Sequence, residues 1–160
     1  MENIFKAMIE LINSNEEVEI IFPMHKNPSI RKLAHKYFDK YSERVHLIEP
    51  LEYVEFTNLM ANVYLIMTDS GGIQEEAPAL GKPVMVLRTE TERPEAVEAG
   101  TVKLAGINKE NIVNIANELI NNEESYKVMA QATNPYGDGM ACNRILQIIE
   151  ENFSFITGGQ

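Results

Sequence analysis

Three short stretches of this sequence hold residue types whose spacing could do chemistry. The first is Ser70-Gly71-Gly72, inside the run YLIMTDSGGIQEEAPALGKP from Tyr64 to Pro83. Glycines at the opening of a helix let the backbone come close to a bound group, and the first N–H groups and the dipole of that helix favour an anion, above all phosphate. Glu75 and Glu76 follow about a turn later, where carboxylates can accept hydrogen bonds from sugar hydroxyls. The second stretch is RTETERPEAVEAG, with Arg88 and Arg93 as rare positive charges in a very acidic chain. Arg93 could meet a phosphate, or it could pair with a neighbouring carboxylate such as Glu92 or Glu95. The third is PMHKNPSIR, which puts His25, Lys26 and Asn27 in a strand-to-helix loop. The bland alternatives stay open on the residues alone: an ordinary capped helix at Ser70, and an exposed or structural His25.

The elements that must position these residues are legible from periodicity. Tyr64 to Met67 is a short apolar run of the kind a two-sided buried strand shows, and Ile73, Ala77 and Leu80 recur at helical spacing before Gly81 stops the helix. Ile4, Phe5, Met8, Ile9 and Ile12 predict a first helix to about Asn13. Strands are expected at Val18–Phe22, Val45–Ile48, Val84–Leu87 and Thr101–Leu104. Between them lie helices carrying Ile30, Leu33, Ala34, Tyr37 and Phe38, then Tyr53, Phe56, Leu59 and Met60, then Ile112, Ile115, Ala116, Leu119 and Ile120. On spacing alone Phe56 is a core residue. After the turn cluster NPYGDG, Ala141, Ile145, Ile148 and Ile149 are expected to form the buried side of a last helix. Strands alternating with helices predict an α/β fold, a three-layer doubly wound parallel sheet of Rossmann-like type, with residues 1–160 as a single domain. Ligands in such sheets bind at the carboxyl ends of the strands, where all three stretches fall.

Composition narrows the classes. With 24 acidic and 14 basic residues the net charge is −10, and no basic stripe offers a nucleic-acid surface. Cys142 is the only cysteine, so a disulfide within the chain and a cysteine-ligated zinc are excluded, and its default place is a small buried apolar site. His25, His35 and His46 show no metal spacing, so neither a metal nor another cofactor is expected. No apolar run approaches a membrane span and no signal pattern opens the chain; a soluble, cytoplasmic protein without a membrane partner is expected.

Four ordered blocks then add a resemblance. PMHKNPSIR, DSGGIQEEAPALGKPVMVLR, TERPEAVEAGTV and NPYGDGMACNRI resemble the carboxyl-terminal half of the non-hydrolysing UDP-N-acetylglucosamine 2-epimerases, over roughly Ile4 to Asn152. The resemblance implies one of two Rossmann-like domains in a glycosyltransferase-B type arrangement, with the nucleotide sugar in the cleft between them. It implies that Ser70, Gly71 and Gly72 hold the diphosphate, that Glu76 takes the ribose hydroxyls, and that Arg93 contacts the nucleotide sugar. Phe56 would lie beside the uracil, and His25 would face the interdomain cleft. The family reaction inverts carbon 2 of the sugar through elimination and re-addition of UDP, in cell-surface polysaccharide biosynthesis. Its catalytic acids and bases lie mainly on an amino-terminal domain expected to be missing here, so the 160-residue chain is expected to bind UDP or UDP-N-acetylglucosamine but to be inactive alone. A separate amino-terminal chain or self-association is a further expected partner. Leu51 stands where the family commonly has a polar residue near the uracil, and Cys142 where it commonly has serine. Two alternatives stay open: half of a nucleotide-sugar glycosyltransferase, and a non-catalytic sugar-nucleotide-binding module working with a separate chain.

Overall fold

The structure, a computed structural model, describes residues 1–157, so the last three positions of the expected 1–160 domain lie outside the described residues. In chain order it runs α1 (Glu2–Ser14), β1 (Ile20–Pro23), α2 (Pro28–Phe38), a single 3-10 turn (Asp39–Tyr41), β2 (Val45–Ile48), α3 (Tyr53–Asn62) and β3 (Ile66–Thr68). It continues with α4 (Gly71–Ala79), β4 (Val84–Val86), α5 (Pro94–Glu98), β5 (Val102–Leu104), α6 (Lys109–Asn121), α7 (Glu123–Ala130) and α8 (Ala141–Thr157). The expected α/β alternation is present, with strand boundaries shifted by one or two residues where apolar character extends beyond the paired backbone.

All strand pairing is parallel. β1 pairs with β2 from Ile20↔Val45 to Pro23↔Ile48. β4 is the middle strand of a second ladder, with Met67↔Met85 on one side and Met85↔Lys103 on the other. The hydrogen-bonded strands thus form ladders of two and three strands, a division that periodicity does not reveal. A shared core joins them. Met85 and Leu87 lie in one apolar cluster with Val45, Met24 and the buried face of α1, while Val84 and Val86 lie in a second cluster with Met60, Ala77 and Ala96. Successive β4 side chains therefore enter opposite layers, as the two-residue period of a strand requires, and helices cover both faces.

The larger core is anchored by α1, whose Ile4, Phe5, Met8, Leu11 and Ile12 are all buried. Phe5 meets Phe38 with ring centroids 4.8 Å apart and Phe22 edge-on at 5.6 Å. Burying one such ring contributes about 1.5–3 kcal/mol. Helix α1 also packs on α6, where Lys109 Nζ meets Glu10 at 2.8 Å and Asn15 donates to Asn117 Oδ1 at 2.9 Å.

The last helix departs from expectation. Ile145, Ile148 and Ile149 on α8 are 55%, 57% and 46% exposed, and Leu146 and Phe153 are exposed as well. Cys142, expected to be buried, is exposed on the same helix. The periodicity is real, but no described element covers α8, so an amphipathic pattern predicted a helix correctly and its burial wrongly. Its start is held by the turn: Asp138 Oδ1 accepts from the Met140 N–H at 3.0 Å, and Arg144 bonds both Asp138 oxygens at 2.9 and 2.7 Å. Among the described residues no helix is long and apolar enough to cross a membrane.

Candidate functional site

β3 ends at Thr68, whose hydroxyl accepts from the Ser70 N–H at 3.0 Å and so bends the chain into the opening of α4. Ser70 occupies the N-cap with φ −84° and ψ 132°, but its side chain makes no capping bond, and no acidic residue lies in the first turn. The leading N–H groups of α4 are thus left without the side-chain acceptor that usually satisfies them. Gly71 and Gly72 both have ordinary negative φ, so what their lack of a side chain provides is clearance. A Cβ at Gly72 would sit 3.8 Å from Glu76 Oε1 and 3.9 Å from Ser70 Oγ, which shows that the hydroxyl and the carboxylate flank this position. A Cβ at Gly71 would sit 3.9 Å from a terminal nitrogen of Arg93. The far end of the helix is closed by Gly81 at φ 67°, a left-handed residue that only glycine adopts at no steric cost.

The loop after β4 brings Arg93 back over this helix opening. Its Nε donates to Glu75 Oε1 at 2.5 Å, and its Nη1 donates to the Glu92 carbonyl at 3.1 Å. The partner in the ion pair is therefore Glu75, across the fold, and neither Glu92 nor Glu95 takes that role; Glu92 pairs with Arg88 at 3.4 Å. The Glu75 carboxylate raises the Arg93 guanidinium further above its ordinary value. An uncapped helix N-terminus beside a guanidinium is an arrangement chemically able to receive an anion.

Other sequence candidates lie around this centre at differing removes. Phe56 is half-buried on α3 and packs against the smaller core, which matches its reading from spacing. His25 is exposed after β1, its Nδ1 accepting from the Asn27 N–H at 3.1 Å, while Asn27 Oδ1 caps α2 through the Ser29 N–H at 2.9 Å. Arg31 braces the same loop through a two-pronged bond to Glu49 at 2.7 and 2.5 Å, which lowers the Glu49 carboxyl below its ordinary range. Pro23, Met24, Lys26 and Pro50 line a shallow depression with His25. Ser70, Gly71, Gly72, Glu76 and Arg93 are brought together, and Phe56 packs in the same small apolar cluster as Ile73 and Ala77 of α4. Tyr136, from the turn before α8, was not singled out by its sequence. Its buried hydroxyl makes no well-formed hydrogen bond, and burial, helped by the charge and polar contact of Glu95, pushes its pKa up. Among the described residues no cluster of histidine, cysteine or carboxylate side chains could hold a metal ion.

Comparison with known proteins agrees on one family. The family model for UDP-N-acetylglucosamine 2-epimerase matches residues 1–150. A UDP-N-acetylglucosamine 2-epimerase of Bacillus subtilis is 56% identical over 147 residues, covering 92% of this chain and 38% of the relative. The Neisseria meningitidis UDP-GlcNAc 2-epimerase solved with UDP-GlcNAc superposes with a TM-score of 0.86 at 46% identity, over 93% of this chain and 40% of that one. An S. aureus protein solved with UDP gives a TM-score of 0.89 at 51% identity, over 98% of this chain and 42% of that one. The chain thus spans well under half the length of the relatives it matches.

Proposed function

The chain belongs to the UDP-N-acetylglucosamine 2-epimerase family, and from that premise we propose that it is the UDP-binding, Rossmann-like half of such an enzyme. In this reading the Ser70-Gly71-Gly72 opening of α4 takes the diphosphate through its backbone N–H groups, and Arg93 closes on it from the other side. Glu76, beside Gly72, accepts the ribose hydroxyls. Phe56 lies against the uracil, and His25 faces the cleft toward a second domain. The observation that carries the proposal is the Arg93 guanidinium held beside an uncapped helix N-terminus.

The chemistry follows from the bond that must change. Inverting carbon 2 requires removal of its proton by a base, and elimination of UDP breaks the carbon 1–oxygen bond to leave a glycal. A proton then returns to the other face of carbon 2 as UDP re-adds at carbon 1. The negative charge that collects on the departing diphosphate is what helix N–H groups and a guanidinium stabilise. This chain's residues bind and orient UDP through both steps. The groups that move the carbon 2 proton are assigned to a second domain, whose closure also keeps water from the intermediate. The 160-residue chain alone is accordingly expected to bind UDP without epimerising its sugar. A cytoplasmic setting, and supply of the product sugar nucleotide for cell-surface polysaccharide, belong to the same proposal.

Calorimetric titration of UDP into the chain and into Arg93→Ala tests it. A charge-assisted bond to phosphate contributes about 1.5–3 kcal/mol, so the variant should bind roughly ten- to a hundred-fold more weakly. Equal affinity in both proteins, or no binding to the unaltered chain at millimolar UDP, would defeat the proposal.

A further inference from the structure

Gln74 is the one fully buried polar side chain of α4, with 0% exposure, on the helix that opens the anion site. Both ends of its amide are engaged. Nε2 donates to the Ser70 carbonyl at 3.2 Å, and Oε1 accepts from the Thr91 hydroxyl at 2.6 Å. The Thr91 oxygen in turn accepts from the Arg93 backbone N–H at 3.0 Å. The relay has a fixed direction. With one lone pair of Thr91 occupied by the Arg93 N–H, its proton is committed to Gln74, and flipping the amide would set oxygen against the Ser70 carbonyl.

Two loops far apart in sequence are thereby locked together: the turn after β3 that carries Ser70 and the loop after β4 that carries Arg93. The Glu75–Arg93 ion pair links the same loops from the outside, but both its side chains are more than a third exposed or nearly so, and such pairs contribute little rigidity in water. The buried relay is the stiffer of the two connections. A helix that needed only to pack would place an apolar residue at position 74, beside Ala77 and Pro78, because a buried amide repays its desolvation only when every bond is made.

We infer that Gln74 and Thr91 are positioning residues, which fix the spacing between the helix N–H groups and the Arg93 guanidinium so that one diphosphate meets both. This inference rests on the proposed UDP site. In that reading the relay touches no substrate; it acts through Arg93.

The test is a double-mutant cycle on UDP affinity in the 160-residue chain, with Thr91→Val and Thr91→Ser each made alone and with Arg93→Ala. Thr91→Val should weaken UDP roughly ten-fold, within the coupling range of residues in contact, and Thr91→Ser should restore it. With Arg93 already removed, Thr91→Val should cost less than about two-fold, because there is no guanidinium left to position. Undiminished affinity in Thr91→Val, or the same loss with and without Arg93, overturns the inference. Gln74→Met, of similar volume, is expected to repeat the Thr91→Val result. Should the unaltered chain fail to bind UDP, the site reading fails, and the relay is then judged in the free protein by the NMR signal of the Arg93 backbone N–H, which donates to Thr91. That signal should be protected from solvent exchange in the unaltered chain and lose protection in Thr91→Val; an unchanged signal overturns the inference on its own.

Discussion

Leu119 and Leu146 are the same residue type, both inside amphipathic helices, and the structure assigns them opposite energetic weight. Leu119 on α6 is 0% exposed in the larger core, whereas Leu146 on α8 is 57% exposed. Truncation to alanine at Leu119 removes buried methyl groups and leaves a cavity, a loss of about 2–5 kcal/mol. At Leu146 little apolar surface has left water, and alanine is if anything the better helix former, so the change should stay within about 0.5 kcal/mol of zero. With a urea slope of about 2 kcal/mol per molar for a domain of this size, Leu119→Ala should lower the unfolding midpoint by about 1–2.5 M and Leu146→Ala by at most about 0.25 M. The assay is urea unfolding followed by circular dichroism at two protein concentrations, which separates folding from association. A midpoint loss of 1 M or more for Leu146→Ala, independent of concentration, would mean that α8 packs within the chain, and the account of its exposed face would be wrong.

Two further outcomes follow from single side chains. Tyr136→Phe removes a buried hydroxyl that lies beside Glu95 without a well-formed hydrogen bond, so stability should be unchanged or rise by up to about 1 kcal/mol in the same urea assay; a clear loss would reveal a bond to Glu95 in solution. Asp138 is held below its ordinary value of 3.8, first by Arg144 and then by the Met140 N–H. A carboxyl depressed in the folded state stabilises it fully above the unfolded value and loses that contribution as pH falls through the folded value. The start of α8 should therefore loosen only below about pH 4, read as amide signals of residues 140–144, and Asp138→Asn should abolish that pH dependence.

The fold was legible where one physical cause acts alone. Short apolar runs located the strands and helical spacing most of the helices, as Phe5, Met8 and Ile12 on α1 illustrate, whereas α7 (Glu123–Ala130) was not anticipated. The Ser70-Gly71-Gly72 turn, the Glu75/Glu76 pair and the Arg88/Arg93 pair stood out from residue types alone, because glycine at a strand-to-helix turn and arginine in an acidic chain are both unusual, whereas the choice of Glu76 and Arg93 within those pairs came from the family resemblance. Burial of α8 was misjudged because amphipathicity records that a face is apolar and not what covers it. Gln74 escaped notice because the helix stripe was drawn through Ile73, Ala77 and Leu80, whereas the buried positions are Gln74, Ala77 and Pro78. A polar residue three positions before Ala77 was the available signal. The Glu75–Arg93 pair was not readable at all, because it depends on how two loops fold back over one helix.

The clasp between α1 and α6 also sets a timetable for synthesis. Asn15 waits for Asn117, 102 positions later, and Glu10 for Lys109, 99 positions later. At about 5–20 residues per second, the first helix leaves the ribosome roughly 5–20 s before its main partner exists. Through that interval Phe5 can close only on early neighbours such as Phe22 and Phe38, while the side of α1 that packs on α6 stays open to aggregation and to capture by chaperones.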